Sequence, residues 1–327
     1  MGQVGMSEAV GNGWTVAHIP WQIGRRALIT GANSGLGYYT ALELARKGAH
    51  VLLACRDKTK GDAALARIRA EVPKASAEVV PLDLASLTSV RACAAAELAL
   101  GVPLDLLINN AGVYAPKTRQ QTADGFELQF GTNVLGHFAL TGLLLPALKR
   151  AAASQPQKPR VVTLASIAHK RARLNFDDLQ SEKSYSPSGS YGQSKLADLM
   201  FAFELDRRLR AAGPPASGVM SVAAHPGVAN TNLFRVGEFN PMERTMRRWA
   251  GAAIGALLNT EAQGAVPTLF AATSPDAVDG GYYGPQSFHE TRGGDVGPAQ
   301  VAPQALDQAA AARLWNECER LTGVSYL

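Results

Sequence analysis

Apolar and polar positions alternate between two habits along the chain. Short apolar runs bounded by turn residues recur at Ala27–Thr30, His50–Ala54, Glu78–Pro81, Leu104–Asn109, Val161–Leu164, Val219–Ala224 and Gly280–Gly284. Runs of this length read as strands buried on both faces. Between them lie longer stretches of helical character: from the glycine turn after Thr30 to about Lys47, Thr59–Glu71 (closed by Pro73), alanine-rich Leu87–Ala99, Phe126–Arg150, Ser190–Arg210 and Glu261–Ala272. Strands alternating with helices predict βαβ units, right-handed crossovers and a parallel sheet. The expectation is an α/β, single-domain, doubly wound fold with a seven-stranded parallel sheet and helices on both faces.

Residues 1–23 read as a leader followed by an arm, Trp14–Trp21, that packs through its two tryptophans. The main domain is expected over 24–285, and a tail with one helix, Leu306–Leu321, over 286–327. After His225 the regular pattern breaks, and a substrate lid is expected over about 228–259, with an amphipathic piece at Met242–Leu257. Ligands of open parallel sheets bind beyond the carboxyl ends of the strands, where this stretch falls.

Composition narrows the class. The 46% hydrophobic content suits a large core, and the net charge of +5 comes from scattered residues rather than a basic stripe or tail, which argues against nucleic-acid binding. Three cysteines at unrelated spacings predict no disulfide framework and a reducing compartment, and no Cys/His cluster has metal-ligand spacing. No signal pattern precedes the domain, and the apolar stretch Phe138–Leu148 is too short to span a bilayer, so a cytoplasmic protein without a membrane anchor is expected.

Two motifs carry chemistry. Thr30-Gly31-Ala32-Asn33-Ser34-Gly35-Leu36-Gly37 follows a strand and opens a helix. Glycines let such a turn approach a pyrophosphate, and the helix N-terminus offers it free N–H groups. The spacing is Gly-x-x-x-Gly-x-Gly rather than the commoner Gly-x-Gly-x-x-Gly. The second strand ends Ala54-Cys55-Arg56-Asp57. Arg56 suits a 2′-phosphate, favouring NADP(H), whereas Asp57 in the ribose-binding register would favour NAD(H).

The second motif is Tyr191-Gly192-Gln193-Ser194-Lys195, with tyrosine and lysine one helical turn apart on a shared face. Leu196, Leu199, Met200, Phe203 and Leu205 predict the apolar side of that helix; Asp198, Asp206, Arg207 and Arg208 predict the wet one. A phenol with a pKa of about 10 is a poor acid or base at neutral pH, and an adjacent ammonium draws it toward the working range.

In this order the pieces resemble the short-chain dehydrogenase/reductase family over about residues 24–285. The carriers are the glycine turn, Leu82-Asp83-Leu84, Asn109-Asn110-Ala111-Gly112, Asn133, Ser166, Tyr191-x-x-x-Lys195, and Pro226-Gly227 with Thr231. Ala54-Cys55-Arg56-Asp57, Asn133–Phe138, Ser166-Ile167-Ala168-His169 and His225-Pro226-Gly227 are most similar to the retinol-dehydrogenase and WW-domain-oxidoreductase branch and its soluble bacterial relatives. The 25 residues from Ser166 to Tyr191, about twice the usual family gap, point the same way. Membrane members of the branch begin with a hydrophobic anchor, and none is expected here.

The resemblance implies the roles. Tyr191 is the acid/base, Lys195 lowers its pKa and bonds the nicotinamide ribose, Ser166 bonds the substrate oxygen, and Asn133 holds a water that relays protons. Asp83 accepts from the adenine amino group, Asn109 through Gly112 line the adenosine ribose, and Pro226, Gly227 and Thr231 shape the nicotinamide pocket. His137, His169 and His225 are expected to be hydrogen-bonded structural residues, and Asp105 a cap or a surface residue. A homodimer through Phe126–Arg150 and Ser190–Arg210 is common in the family, although the branch includes monomers.

The function so implied is NADP(H)-dependent interconversion of a carbonyl and an alcohol. Leu233, Phe234, Phe239, Met242, Met246 and Trp249 suggest a bulky apolar small molecule as substrate. Reduction of a C=C bond, and a non-catalytic NADP-sensing protein, stand as alternatives.

Overall fold

Strands that are apolar on both sides belong in the middle of a sheet covered on two faces. The computed structural model describes residues 13–228 and 259–327, and the apolar runs lie there. β1 (Arg26–Thr30), β2 (His50–Cys55), β3 (Ala77–Pro81), β4 (Leu106–Asn109), β5 (Arg160–Leu164), β6 (Met220–Ala224) and β7 (Tyr282–Ser287) are parallel, in the order β3-β2-β1-β4-β5-β6-β7. The winding direction reverses between β1 and β4, which opens a crevice at their carboxyl ends.

Successive side chains of each strand enter opposite cores. Ile29, Leu53, Ile108, Val162 and Val222 pack with α1 (Gly35–Arg46), α2 (Lys58–Glu71) and, later in the chain, the helix Glu261–Thr273. Leu28, Leu52, Leu107 and Val161 pack with α3 (Leu87–Ala99), α4 (Gly136–Ser154) and α5 (Pro187–Ala211). The helix Glu261–Thr273 is α6. Asp105, expected as a cap or surface residue, is 1% exposed; it accepts from the Arg26 N–H at 2.9 Å and lies 3.7 Å from the Arg25 guanidinium, pinning the start of β1.

Among the described residues an eighth strand joins the seven expected parallel ones. β8 (Arg292–Pro298) is antiparallel to β7, with Gly284 opposite Gly297 and Tyr283 opposite Pro298. Three glycines and a closing proline give β8 no apolar alternation, so nothing in its side chains marks it as a strand. The expected boundary at 285 therefore falls inside β7, and the tail belongs to the sheet.

The tail continues into α7 (Gln308–Thr322), which ends on Gly323 at φ +61°. Its Trp315 is 2% exposed, 5.0 Å from the Phe138 ring and 6.0 Å from the Phe201 ring. α7 thus packs on α4 and α5, the two helices through which the resemblance implied a dimer.

Charged residues expected on the wet face of α5 are buried: Asp198 against Lys195, and Asp206 beside Arg210 at 2.8 Å. In the N-terminal arm only one tryptophan packs as expected. Trp14 meets Phe270 edge-on at 5.3 Å, whereas Trp21 is 69% exposed with the Lys47 ammonium over its ring. The helix anticipated as too short for a bilayer runs from Phe130 to Ser154, long and apolar enough by length and composition, but mostly buried as a core helix.

Candidate active site

The turn between β1 and α1 is built for a close approach. Gly31 has φ +67°, and a Cβ there would lie 3.0 Å from the Ala111 Cβ. A Cβ on Gly37 would sit 2.5 Å from Asn110 Nδ2 and 2.6 Å from the Gly31 carbonyl, which real atoms do not tolerate. Thr30 ties this turn to the loop after β4. Its Oγ1 accepts from the N–H groups of Asn110 and Ala111, both at 2.9 Å, and its carbonyl accepts from Asn110 Nδ2 at 2.7 Å. Ser34, the residue before α1, makes no side-chain cap, so the first N–H groups of the helix are left to the crevice. An uncapped N-terminus behind a glycine turn fits the pyrophosphate of a dinucleotide.

The crevice is a cavity of about 730 Å³. Gly31, Asn33, Ser34, Gly35, Leu36 and Gly37 line one end, Ala111 and Gly112 the side, and Ser166, Tyr191, Lys195, Pro226 and Gly227 the other. Four residues expected at the cofactor stand outside this lining. Asn109 is buried and donates to Thr141 Oγ1 at 3.0 Å, so its neighbour Asn110 is the one that faces the turn. Leu84 is wedged on Gly136, and Asp83 accepts from the Ala85 N–H at 3.0 Å in a local turn. Arg56 is exposed at the end of β2 with no hydrogen-bond or ion-pair partner among the described residues. Asp57 caps α2, accepting from the Lys60 N–H at 3.1 Å. Thr231, the lid stretch 229–258 and its apolar residues lie outside the described residues.

Gly227 shows why a glycine closes the far end. It has φ +68°, and a Cβ would meet the Thr291 carbonyl at 2.4 Å. The β7–β8 turn packs there, with Val228 N–H donating to Thr291 O at 2.7 Å.

Tyr191 and Lys195 share one face of α5, with the ammonium 6.0 Å from the phenol ring centre. The phenol shares the cavity with Ser166, whose Oγ accepts from the Ala168 N–H at 3.2 Å and favours the phenolate. Burial raises the Tyr191 pKa; Lys195 and Ser166 oppose it, and the net direction is still upward. The expectation that the lysine brings the phenol down is therefore only half of the balance. Lys195 donates to the Leu164 carbonyl and to Asp198 Oδ2, both at 2.8 Å.

Asn133 lies in a π-helical turn, Phe130–Leu135, that leads into α4. Its Oδ1 accepts from the Val113 N–H at 2.8 Å, and its Nδ2 donates to Val113 O at 3.2 Å and Ser194 Oγ at 3.0 Å. The amide thus braces the loop after β4 against α5. The Asn133 carbonyl lies 2.7 Å from His137 Nδ1. Since a carbonyl only accepts, Nδ1 carries the proton and Nε2 accepts a hydrogen bond from the Thr30 hydroxyl at 2.9 Å. Burial takes the His137 pKa down to about 4, consistent with a neutral ring.

Sequence reasoning passed over Tyr114, whose ring stands edge-on to Tyr191 at 4.7 Å, and His289, which lines the cavity from the β7–β8 turn. Neither has a local signal, because both sit in loops that tertiary packing brings in. Asp198 did have one: an acid three residues after a lysine in a helix is placed to pair with it.

The Rossmann-like sheet, the glycine turn at its switch point and the Ser166, Tyr191 and Lys195 side chains define a dinucleotide-dependent oxidoreductase fold. A family model for short chain dehydrogenase matches residues 25–238, and the chain belongs to that family. It is 42% identical to mouse polyprenol dehydrogenase over 307 residues, covering 93% of this chain and 86% of the relative. Human retinol dehydrogenase 14 is 39% identical over 317 residues, covering 92% and 87%. A crystal structure of an uncharacterised Mycobacterium paratuberculosis protein is 41% identical with a TM-score of 0.74, covering 96% of this chain and 99% of that one. NADPH-bound carbonyl reductase from chicken fatty liver is 25% identical, with a TM-score of 0.56 and coverage of 80% and 96%.

Proposed function

We propose that the protein is an NADP(H)-dependent alcohol/carbonyl oxidoreductase acting on a long apolar alcohol or its aldehyde, of the kind that retinol and polyprenol represent. The observation that carries the reading is that Ser166 and Tyr191, with the Lys195 ammonium 6.0 Å from the phenol ring centre, line the same cavity as the uncapped N-terminus of α1.

A nicotinamide dinucleotide, when bound, supplies or accepts the hydride. The protein handles the proton and the charge. In reduction the Ser166 hydroxyl donates a hydrogen bond to the carbonyl oxygen, and Tyr191 Oη gives that oxygen its proton. The phenolate left behind faces the Lys195 ammonium, which stabilises it. Oxidation runs the same atoms backward, with Tyr191 Oη taking the hydroxyl proton.

The cofactor preference rests on β2. Asp57 is committed to capping α2, while the Arg56 guanidinium stands open beside it, suited to a 2′-phosphate. The substrate class rests on the relatives and on the apolar side of the cavity, where Leu164, Ala165, Ile167, Ala168 and Val228 contribute.

The test is formation of NADPH from NADP⁺ with all-trans-retinol and with a polyprenol, followed beside NAD⁺. Turnover that strongly favours NADP⁺ is expected. Absence of hydride transfer with these alcohols, and with their aldehydes in reverse, would remove the proposal.

A further inference from the structure

The Lys195 ammonium has a charged partner that the proton transfer itself does not use. Asp198, one turn further along α5, is 2% exposed, and its Oδ2 lies 2.8 Å from Lys195 Nζ. An ammonium has three protons. One goes to Asp198 and one to the Leu164 carbonyl at the end of β5, so two are directed into the protein. Nζ is also 3.8 Å from where a Gly112 Cβ would be, which places the ammonium at the cavity floor. The Asp198–Leu164 pair is therefore what aims the third proton at the cavity.

A carboxylate this deep is costly unless paired. Burial raises the Asp198 pKa to about 6, and the Lys195 ammonium at 2.8 Å opposes that rise and favours the carboxylate. Its titratable surroundings among the described residues are few. Lys195 and Tyr191 share its helix, and the buried Cys318 thiol faces it from α7. His137, in the first turn of α4, lies near Lys195 and is held neutral by burial. Lys195 thus stands between two groups with opposite claims on it: the phenol, which needs its charge, and the carboxylate, which counters that charge. At Tyr191 the electrostatic effect of Asp198 opposes that of Lys195.

We propose that Asp198 is a positioning residue of the proton-transfer machinery, fixing the Lys195 ammonium at the cavity floor and partly cancelling its charge at Tyr191. The proposal rests on the reading of Tyr191 as the acid/base. It assigns two separable jobs to one carboxylate, an acceptor in a fixed place and a negative charge.

Asp198→Asn keeps an acceptor of the same shape and removes the charge. The readout is the pH profile of kcat/KM for NADP⁺-dependent oxidation of all-trans-retinol, whose ascending limb follows loss of the Tyr191 proton. The limb is expected to move to lower pH by about one unit, because the unbalanced ammonium draws the phenol down. Asp198→Glu keeps the charge but moves it; its limb should stay near the wild-type position while kcat falls about tenfold as the ammonium is displaced. A limb that does not move in Asp198→Asn overturns the charge role. Full kcat in Asp198→Glu overturns the placement role and remains readable if the asparagine variant does not fold. Failure of the underlying reading looks different: Tyr191→Phe would then keep wild-type turnover.

Discussion

Arg56 and Asp57 leave the end of β2 with opposite commitments. The Asp57 carboxylate accepts from the Lys60 N–H at 3.1 Å and pairs with the Lys60 ammonium at 3.2 Å, while the adjacent guanidinium is exposed and has no such partner among the described residues. The hydrogen bonds from Lys60 hold the Asp57 carboxyl below the ordinary range, as expected of a helix cap. The positive member of the pair is the one available to a ligand.

Arg56→Ala should therefore weaken NADPH binding by about 10- to 100-fold, the scale of a lost charge-assisted contact, and leave NADH nearly unchanged. Calorimetric titration with both nucleotides decides it. Equal losses for the two would place the contact elsewhere than on a 2′-phosphate.

Asp57→Ala should act on stability instead. Losing the α2 cap costs about 1 kcal/mol, read from chemical denaturation, with the NADPH-to-NADH ratio retained. A reversal of cofactor preference would make Asp57 the ribose partner after all.

Gly37→Ala tests the turn. Its Cβ would fall 2.5 Å from Asn110 Nδ2 and 2.6 Å from the Gly31 carbonyl, so the turn must shift. Overpacking of this kind costs about 1–3 kcal/mol, and it should appear as a loss of affinity for NADPH and NADH alike. Unaltered binding of both would mean that the pyrophosphate does not use this turn.

His137 gives a pH dependence with a definite sign. Burial lowers its pKa from 6.5 to about 4, so the unfolded chain takes up the proton first. The stability this neutral ring contributes is present above pH 6.5 and is lost as pH falls toward 4, by roughly 3 kcal/mol. Denaturation of wild type and His137→Gln across that range should show the wild-type margin narrowing on acidification. A margin that stays constant or widens would contradict a buried neutral histidine.

Much of this architecture was legible because burial on both faces leaves a plain mark. Runs such as Ala27–Thr30 and Val161–Leu164 carry no charge and no polar residue larger than threonine, and they form β1 and β5. β8 left no such mark, since it joins β7 through backbone pairing such as Gly284 opposite Gly297 rather than through an apolar face. The sequence alone points Asp198 to the surface and Asp105 to a cap or the surface, because a charge usually lies there. Only the partner that the fold brings, an ammonium or a backbone N–H, makes such burial tolerable. The Tyr191–Lys195 face was legible from spacing alone. The direction of the phenol's shift was not, because it depends on burial and on Asp198, Ser166 and Tyr114 together.

The central claim is that Tyr191 moves the proton that accompanies hydride transfer. The most direct measurement is the single-turnover rate of NADP⁺ reduction by all-trans-retinol in wild type and Tyr191→Phe, with NADPH affinity measured on both. The account predicts a rate lowered by about 10²–10⁴-fold at unchanged affinity, the contribution usual for general acid–base catalysis. A phenylalanine variant that binds NADPH normally and transfers hydride at the wild-type rate would contradict it.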